Sequence, residues 1–194
     1  WYTDGDGDGF GDESISMEAC EAPAGTVADS NDCADADALV HPGALEICDD
    51  IDNDCNGDID DADSSLDEST ALTWYADGDG DGYGVAFYSL SSCEAPTGYV
   101  EDATDCDDMD ETINPGATEV CDEDAVDEDC SGAADDADPD VDVSTGTLFY
   151  VDVDGDGFGD VTDEGSLHCA DPSSETGWYS DEATDCDDDN AAIS

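Results

Sequence analysis

Three stretches place aspartates at alternate positions ahead of a turn glycine: Asp4, Asp6 and Asp8; Asp77, Asp79 and Asp81; Asp152, Asp154 and Asp156. An aromatic pair precedes each (Trp1-Tyr2, Trp74-Tyr75, Phe149-Tyr150), and Gly-aromatic-Gly follows, as in Gly9-Phe10-Gly11. Carboxylates at i, i+2 and i+4, with a glycine that permits a sharp turn, wrap oxygens around a hard divalent cation. Calcium loops begin in this way. In that numbering the carbonyls of Phe10, Tyr83 and Phe158 take the seventh place, and Asp12 and Asp160 follow close behind. The twelfth place, which needs a bidentate acid, is Ile15 in the first copy and Tyr88 in the second, and is acidic only in the third, at Asp163. The loop therefore needs an oxygen from elsewhere.

A second cluster is placed to supply it. Asp32-Cys33-Ala34-Asp35-Ala36-Asp37 recurs as Asp105-Cys106-Asp107-Asp108-Met109-Asp110 and as Asp185-Cys186-Asp187-Asp188. Asp32, Asp35 and Asp37, Asp105, Asp108 and Asp110, and Asp185 and Asp188 either complete the opening loops or form adjacent sites. Glu46 and Glu119 follow at a fixed distance. A third cluster is the best single match to a calcium loop: Asp52, Asp54 and Asn56, then Gly57, Asp58, Asp60 and Asp63. Its second copy has Asp127, Asp129, Ser131, Asp135 and Asp138. No long flanking helices surround either copy, so the likeness to an EF-hand is confined to the loop.

The elements that must hold these acids are sparse. The chain has 59 Asp plus Glu, no Lys or Arg, and a formal net charge of −59. Leu, Ile, Val and Phe number only 28 of 194 residues. Such a core does not offset the entropy of ordering the chain, so metal ions and the ten Cys must contribute. Without cationic side chains there is no complement to nucleic-acid phosphates. No apolar run approaches the ~20 residues of a membrane span. The cysteine count in so small a core points to an oxidising, extracellular or cell-surface setting.

The units repeat. Trp1 returns as Trp74, and Cys20, Cys33 and Cys48 return as Cys93, Cys106 and Cys121, all at an offset of 73. We divide the chain into repeat 1 (1–73), repeat 2 (74–148) and a third repeat (149–194) that holds the first half only, as in a window on a longer array or a subunit that needs a neighbour. Because the half repeat carries only the first two Cys, pairing is expected within each half: Cys20–Cys33, Cys93–Cys106, Cys169–Cys186, Cys48–Cys55 and Cys121–Cys130. Leu72–Tyr75 and Thr147–Val151 read as strands entering the loops and Val85–Tyr88 as one leaving. Ala44–Cys48 and Ala117–Cys121 read as single helical turns, and 64–70 and 139–146 as linkers. The expected fold is small, irregular tandem repeats stabilised by calcium and disulfides, with short β-hairpins and single helical turns, and mostly loop.

The order W-Y-x-D-x-D-G-D-G-[YF]-G, C-x-x-P-x-G, D-C-x-D-x-D, N-P-G-A-x-E-[VI]-C-D and D-x-D-C resembles the MopE-type metal-binding repeats of secreted bacterial proteins. The opening loops are also similar, less closely, to thrombospondin type 3 calcium repeats. The resemblance implies a secreted or surface location and metal binding, with no defined activity. In that family's copper-binding member, copper is carried by His and a modified Trp; here His41 and His168 occupy non-equivalent places and neither adjoins a Trp.

The sequence thus reads as an extracellular, calcium-binding structural protein, a rigid stalk, adhesin or filament component that binds several Ca²⁺ and self-associates. The alternatives are a calcium-dependent carbohydrate- or partner-binding module, with Trp178-Tyr179 as a spare aromatic pair, and a metal-storage or mineral-nucleating protein. Two His and no Lys or Arg leave little acid–base or oxyanion machinery, so no enzymatic activity is expected.

Overall fold

A computed structural model describes residues 1–174 and 178–192. Aromatic and β-branched residues at the head of each repeat favour extended backbone, and each head becomes the centre of a three-stranded sheet. Strand β1 (Tyr2–Thr3) lies between β2 (Asp12–Ser16) and β3 (Thr26–Val27). Strand β4 (Leu72–Ala76) lies between β5 (Ser89–Ser92) and β6 (Tyr99–Val100). Strand β7 (Thr147–Val151) lies between β8 (Ser166–His168) and β9 (Tyr179–Ser180). Pairing is antiparallel, with Trp74 opposite Leu90 and Phe149 opposite Ser166. The remainder is loop, punctuated by 3₁₀ turns such as Asp60–Ala62 and Asp135–Ala137.

The expected strand at Val85–Tyr88 does not form. Val85 makes one bridge to Thr104 and Gly84 accepts the Asp105 amide, so the segment after the loop is already paired, and the return strand starts at Ser89. Ala44–Cys48 and Ala117–Cys121 carry no helix; both turn a glutamate inward instead. The expected linkers are tied down too. Glu46 O accepts the Asp67 amide and Thr70 Oγ1 accepts that of Cys48, a pattern repeated by Glu119 with Asp142 and Thr145 with Cys121.

The chain forms two compact units. The first comprises Trp1–Tyr75 and Tyr88–Glu101, the second Ala76–Phe87 and Asp102–Ser194. Within the first, Cys33 pairs with Cys55 and Cys48 with Cys93. Within the second, Cys106 pairs with Cys130 and Cys121 with Cys169. The pairing expected within half-repeats is thus overturned throughout. One bridge joins the two halves of a repeat, and the other joins a repeat to the hairpin of its successor. Cys20 and Cys186, equivalent to Cys93 and Cys106, carry free, exposed thiols.

Among the described residues only Val40 and Trp74 are buried apolar side chains. The buried set is otherwise polar, and Glu46, Glu119 and Asp185 are its most enclosed members. Where an ordinary small domain packs leucines, this one packs carboxylates.

Candidate metal centres

Each opening loop is a chain of aspartate turns. Gly7 N donates to Asp4 Oδ1 (2.7 Å), Asp8 N to Asp6 Oδ1 (3.2 Å) and Phe10 N to Asp8 Oδ1 (2.8 Å). The second and third loops repeat this through Asp77, Asp79 and Asp81 and through Asp152, Asp154 and Asp156. Gly9, at φ 103°, takes a left-handed turn that L side chains rarely adopt. The turns consume one oxygen each of Asp6, Asp8, Asp79, Asp81 and Asp154 and leave the other buried without a donor. Asp77 and Asp152 instead accept through both oxygens, from Gly80 and Gly82 and from Gly155 and Gly157. Ligand oxygens of Asp4, Asp6 and Asp8 lie within 4.8 Å of one another, as do those of Asp77, Asp79 and Asp81.

The second cluster closes the loop. Asp32 N bonds to Gly11 O at 3.2 Å, Asp105 N to Gly84 O at 3.1 Å and Asp185 N to Gly159 O at 3.0 Å. This short backbone tie, a parallel bridge at Asp12–Asp32 and Asp160–Asp185 and an antiparallel one at Val85–Thr104, seats one buried carboxylate over each loop: Asp32 is 9% exposed, Asp105 7% and Asp185 0%. A second tie comes three residues later, where Asp35, Asp108 and Asp188 accept the amides of Gly5, Gly78 and Val153 at 2.7–2.9 Å. The approach is tight, since a Cβ on Gly5 would lie 2.5 Å from Asp35 O.

Eight carboxylate oxygens are buried without a hydrogen-bond partner among the described residues: one each on Asp6, Asp8, Asp32, Asp79, Asp81, Asp105, Asp154 and Asp185. All eight belong to these three sites. Burial holds the Asp32, Asp79, Asp105, Asp154 and Asp188 carboxyls above the ordinary aspartate value, and neighbouring carboxylates of the same site add to the rise. An unpaired buried charge is costly, and this sequence has no Lys or Arg to pair with it. The donor set, four or five clustered carboxylates with hard oxygens, fits a divalent cation.

The EF-like loops are built differently. Buried Glu46 accepts Asn53 N at 2.8 Å through one oxygen and Asp60 N at 2.9 Å through the other, so it clamps both ends of the loop. Glu119 does the same with Glu128 and Asp135. Asp52 accepts the Asn56 and Gly57 amides, and Asp127 those of Ser131 and Gly132. Asp63 accepts from Asn56 Nδ2, Ser65 N and Ser65 Oγ, and Asp138 from Ser131 Oγ and Asp140 N. Oxygens of Glu46, Asp54 and Asp63 converge within 4.8 Å, as do those of Glu119, Asp127 and Asp129. Both oxygens of Glu46, Asp54, Asp63, Glu119 and Asp127 already have donors, and Asp129 has one, Ser131 N.

Several sequence candidates serve turns. Asp12 accepts the amide and hydroxyl of Ser14 through its two oxygens, and Asp160 those of Thr162 through one. Asp37 and Asp110 accept the amides of Leu39 and Thr112, starting the next turn. Asp60 accepts the Asp49 and Asp50 amides and Asp135 that of Asp122. The Asp58 amide goes to Asn56 Oδ1. Phe10 stacks its ring on His41, with centroids 5.2 Å apart, and Tyr83 brings its hydroxyl against Gly116. Sequence reasoning missed Asp61 and Asp136, which accept the amides of Cys93–Glu94 and Cys169–Ala170. Their constant place two residues before Asp63 and Asp138 was the available signal.

Residues 32–61, 105–136 and 185–194 match the family model Cu-binding MopE, described as "Putative metal-binding motif". No curated protein and no solved structure matches the chain. The matched segments hold the closing aspartates and, in the first two, most of the EF-like loop.

Proposed function

We propose, from the three segments of MopE-type metal-binding repeat that the chain carries, that this is an extracellular calcium-binding structural protein. The observation that carries the reading is the set of eight buried, unpartnered carboxylate oxygens, confined to three equivalent sites in a chain of net charge −59 without Lys or Arg. Asp4, Asp6, Asp8, Asp32 and Asp35 would hold the first ion, with Asp77, Asp79, Asp81, Asp105 and Asp108, and Asp152, Asp154, Asp156, Asp185 and Asp188, as the other two sets. Bound calcium supplies a compact positive charge that joins a loop to a segment about 25 residues downstream, where an ordinary domain would use apolar packing.

The donor chemistry favours calcium over its rivals. Magnesium demands a near-ideal octahedron and keeps its waters, whereas these sites offer many flexible oxygens. Copper prefers imidazole and sulfur. His41 is stacked on Phe10, His168 sits 3.8 Å from Asp136, and eight cysteines are in disulfides. Four disulfides accord with an oxidising, extracellular setting, and no helix among the described residues is long and apolar enough to cross a membrane. Tandem units braced by ions and bridges suit a stalk, adhesin or self-associating filament.

Calorimetry with Ca²⁺, Mg²⁺ and Cu²⁺, paired with X-ray scattering in calcium and in EDTA, tests this. Calcium binding near three equivalents per chain and a marked expansion in EDTA are expected. Tight copper with weak calcium, or one unchanged shape in both buffers, would overturn it.

A second reading rests on Trp178. Its indole is 66% exposed and lies over Gly155 of the third loop, the geometry of an aromatic platform beside a cation. Carbohydrate binding lost on calcium removal and on Trp178→Ala is its expected signature.

A further inference from the structure

The Cys33–Cys55 bridge and the first opening-loop site share one short segment. Asp32 closes the loop through its bridge to Gly11, and Asp35 ties the loop through the Gly5 amide. Cys33 lies between them. Its amide donates to Cys55 Sγ at 3.1 Å, and its sulfur lies 3.5 Å from Asp52 O. Cys55 sits between Asp54 and Asn56 in a left-handed conformation (φ 59°) that a non-glycine residue adopts only when its surroundings impose it. Repeat 2 reproduces the arrangement: Asp105 and Asp108 flank Cys106, which pairs with left-handed Cys130 (φ 57°). The third copy has Asp185 and Asp188 around Cys186, whose thiol is free. An open acidic cleft lined by Asp12, Asn31, Asp32, Cys33 and Cys55 leaves the first bridge within reach of solvent.

These placements set two demands on one segment. Without a counter-ion the like charges of Asp6, Asp8 and Asp32 repel one another across the loop, and a bond from Cys33 to Cys55 opposes any outward movement of the segment that carries Asp32. With an ion, the segment is drawn inward to where Cys33 meets Cys55. We propose that cation binding at the opening-loop sites and the Cys33–Cys55 and Cys106–Cys130 disulfides are interlocked: the ion guards the bridge against dithiol reduction, and the bridge holds the ion site closed. The proposal rests on the calcium reading above. Linkage makes the two effects equal: the factor by which oxidation tightens ion binding is the factor by which the ion disfavours reduction, and such couplings run at about 5–150-fold. In the reduction itself a dithiol's thiolate attacks one sulfur, the S–S bond breaks, and a mixed disulfide and a cysteine thiolate form. The thiolate takes a proton, and the second thiol then closes the reagent's own disulfide and releases the other cysteine as a thiol. Two electrons and two protons pass from the dithiol to the bridge.

The test equilibrates the whole chain in graded ratios of reduced to oxidised dithiothreitol, in calcium or EDTA. Thiols are then trapped by alkylation and each cysteine is scored by mass spectrometry. Calcium is expected to move the midpoints of Cys33–Cys55 and Cys106–Cys130 by about tenfold toward more reducing ratios, within the range such couplings show. In the Asp6→Asn/Asp8→Asn double variant the shift should vanish at Cys33–Cys55 and persist at Cys106–Cys130 of the same molecule. Loss at both bridges would show that calcium acts on the fold as a whole and would overturn a local interlock. Unchanged midpoints, with calorimetry showing calcium bound, would refute the interlock and leave the calcium reading standing. Absence of calcium binding would remove both.

Discussion

The opening loop closed by Asp32 and the EF-like loop clamped by Glu46 use the same acid in the same kind of turn, yet they leave opposite residues of charge. In the EF-like loop, donors find the inward oxygens: Asn56 and Ser65 reach Asp63, and two backbone amides reach Glu46. In the opening loop the inward oxygens of Asp6, Asp8 and Asp32 have none. The EF-like loop meets its inward oxygens with its own hydrogen bonds. The opening loop is left with buried negative charge that no group of the chain balances. The EF-like loop has the more complete calcium-loop spacing, whereas the buried oxygens without donors belong to the opening loop.

Substitution at the two loops should separate them. The largest expected effect is that of Asp32→Asn, which removes one member of a buried charged set. Such losses cost ~3–5 kcal/mol, or about 100-fold or more in calcium affinity at that loop, read by calorimetry against unchanged binding at the other two. Because burial and the neighbouring acids oppose ionisation of Asp32, the same change should make the chain more compact in EDTA. Glu46→Gln should behave in the reverse sense. It turns one acceptor into a donor facing an amide, and an unsatisfied buried group costs about 1–3 kcal/mol. That loss is expected as a lower urea midpoint in saturating calcium, with opening-loop affinity little changed. Equal calcium-affinity losses from the two variants would erase the distinction.

Acidity offers a finer contrast. Burial, more than any other cause, holds the carboxyls of Asp32, Asp105 and Asp154 above the ordinary value of 3.8. A raised acid stabilises the fold below its unfolded value and loses that contribution as pH rises through its folded value. Asp63 is held below 3.8, chiefly by the Ser65 hydroxyl, so its contribution is present above the ordinary value and lost as pH falls. Carboxyl-carbon NMR in EDTA should find Asp32 titrating above Asp63, and calcium should bring Asp32 below its metal-free position. The smallest effect is expected of Asp37→Asn. Asp37 caps a surface turn through the Leu39 amide. A stability change within about 0.5 kcal/mol and unaltered calcium binding should follow; a large loss of affinity would restore Asp37 to the ligand set.

Much of this was legible in the sequence. The alternation at Asp4, Asp6 and Asp8, the strand before it and the need for a distant closing acid all follow from spacing and residue type. Two alternatives stood open for Asp32, and the backbone bridge to Gly11 seats it over the opening loop. Disulfide pairing was not legible. It is fixed by where loops fold back, and the reasoning from the half repeat placed Cys20 with Cys33 when the hairpin cysteines Cys93 and Cys169 reach the preceding repeat. Nor did spacing distinguish a carboxylate that faces the loop from one that caps a turn. Asp12 looked like a loop oxygen until Ser14 claimed both of its own.

The most direct test is anomalous diffraction from crystals grown with terbium in place of calcium, a hard ion that also takes oxygen ligands. The account predicts peaks enclosed by Asp6, Asp8 and Asp32, by Asp79, Asp81 and Asp105, and by Asp154, Asp156 and Asp185. Ions confined to the Asp52–Asp63 and Asp127–Asp138 loops, with the opening loops empty, would contradict it.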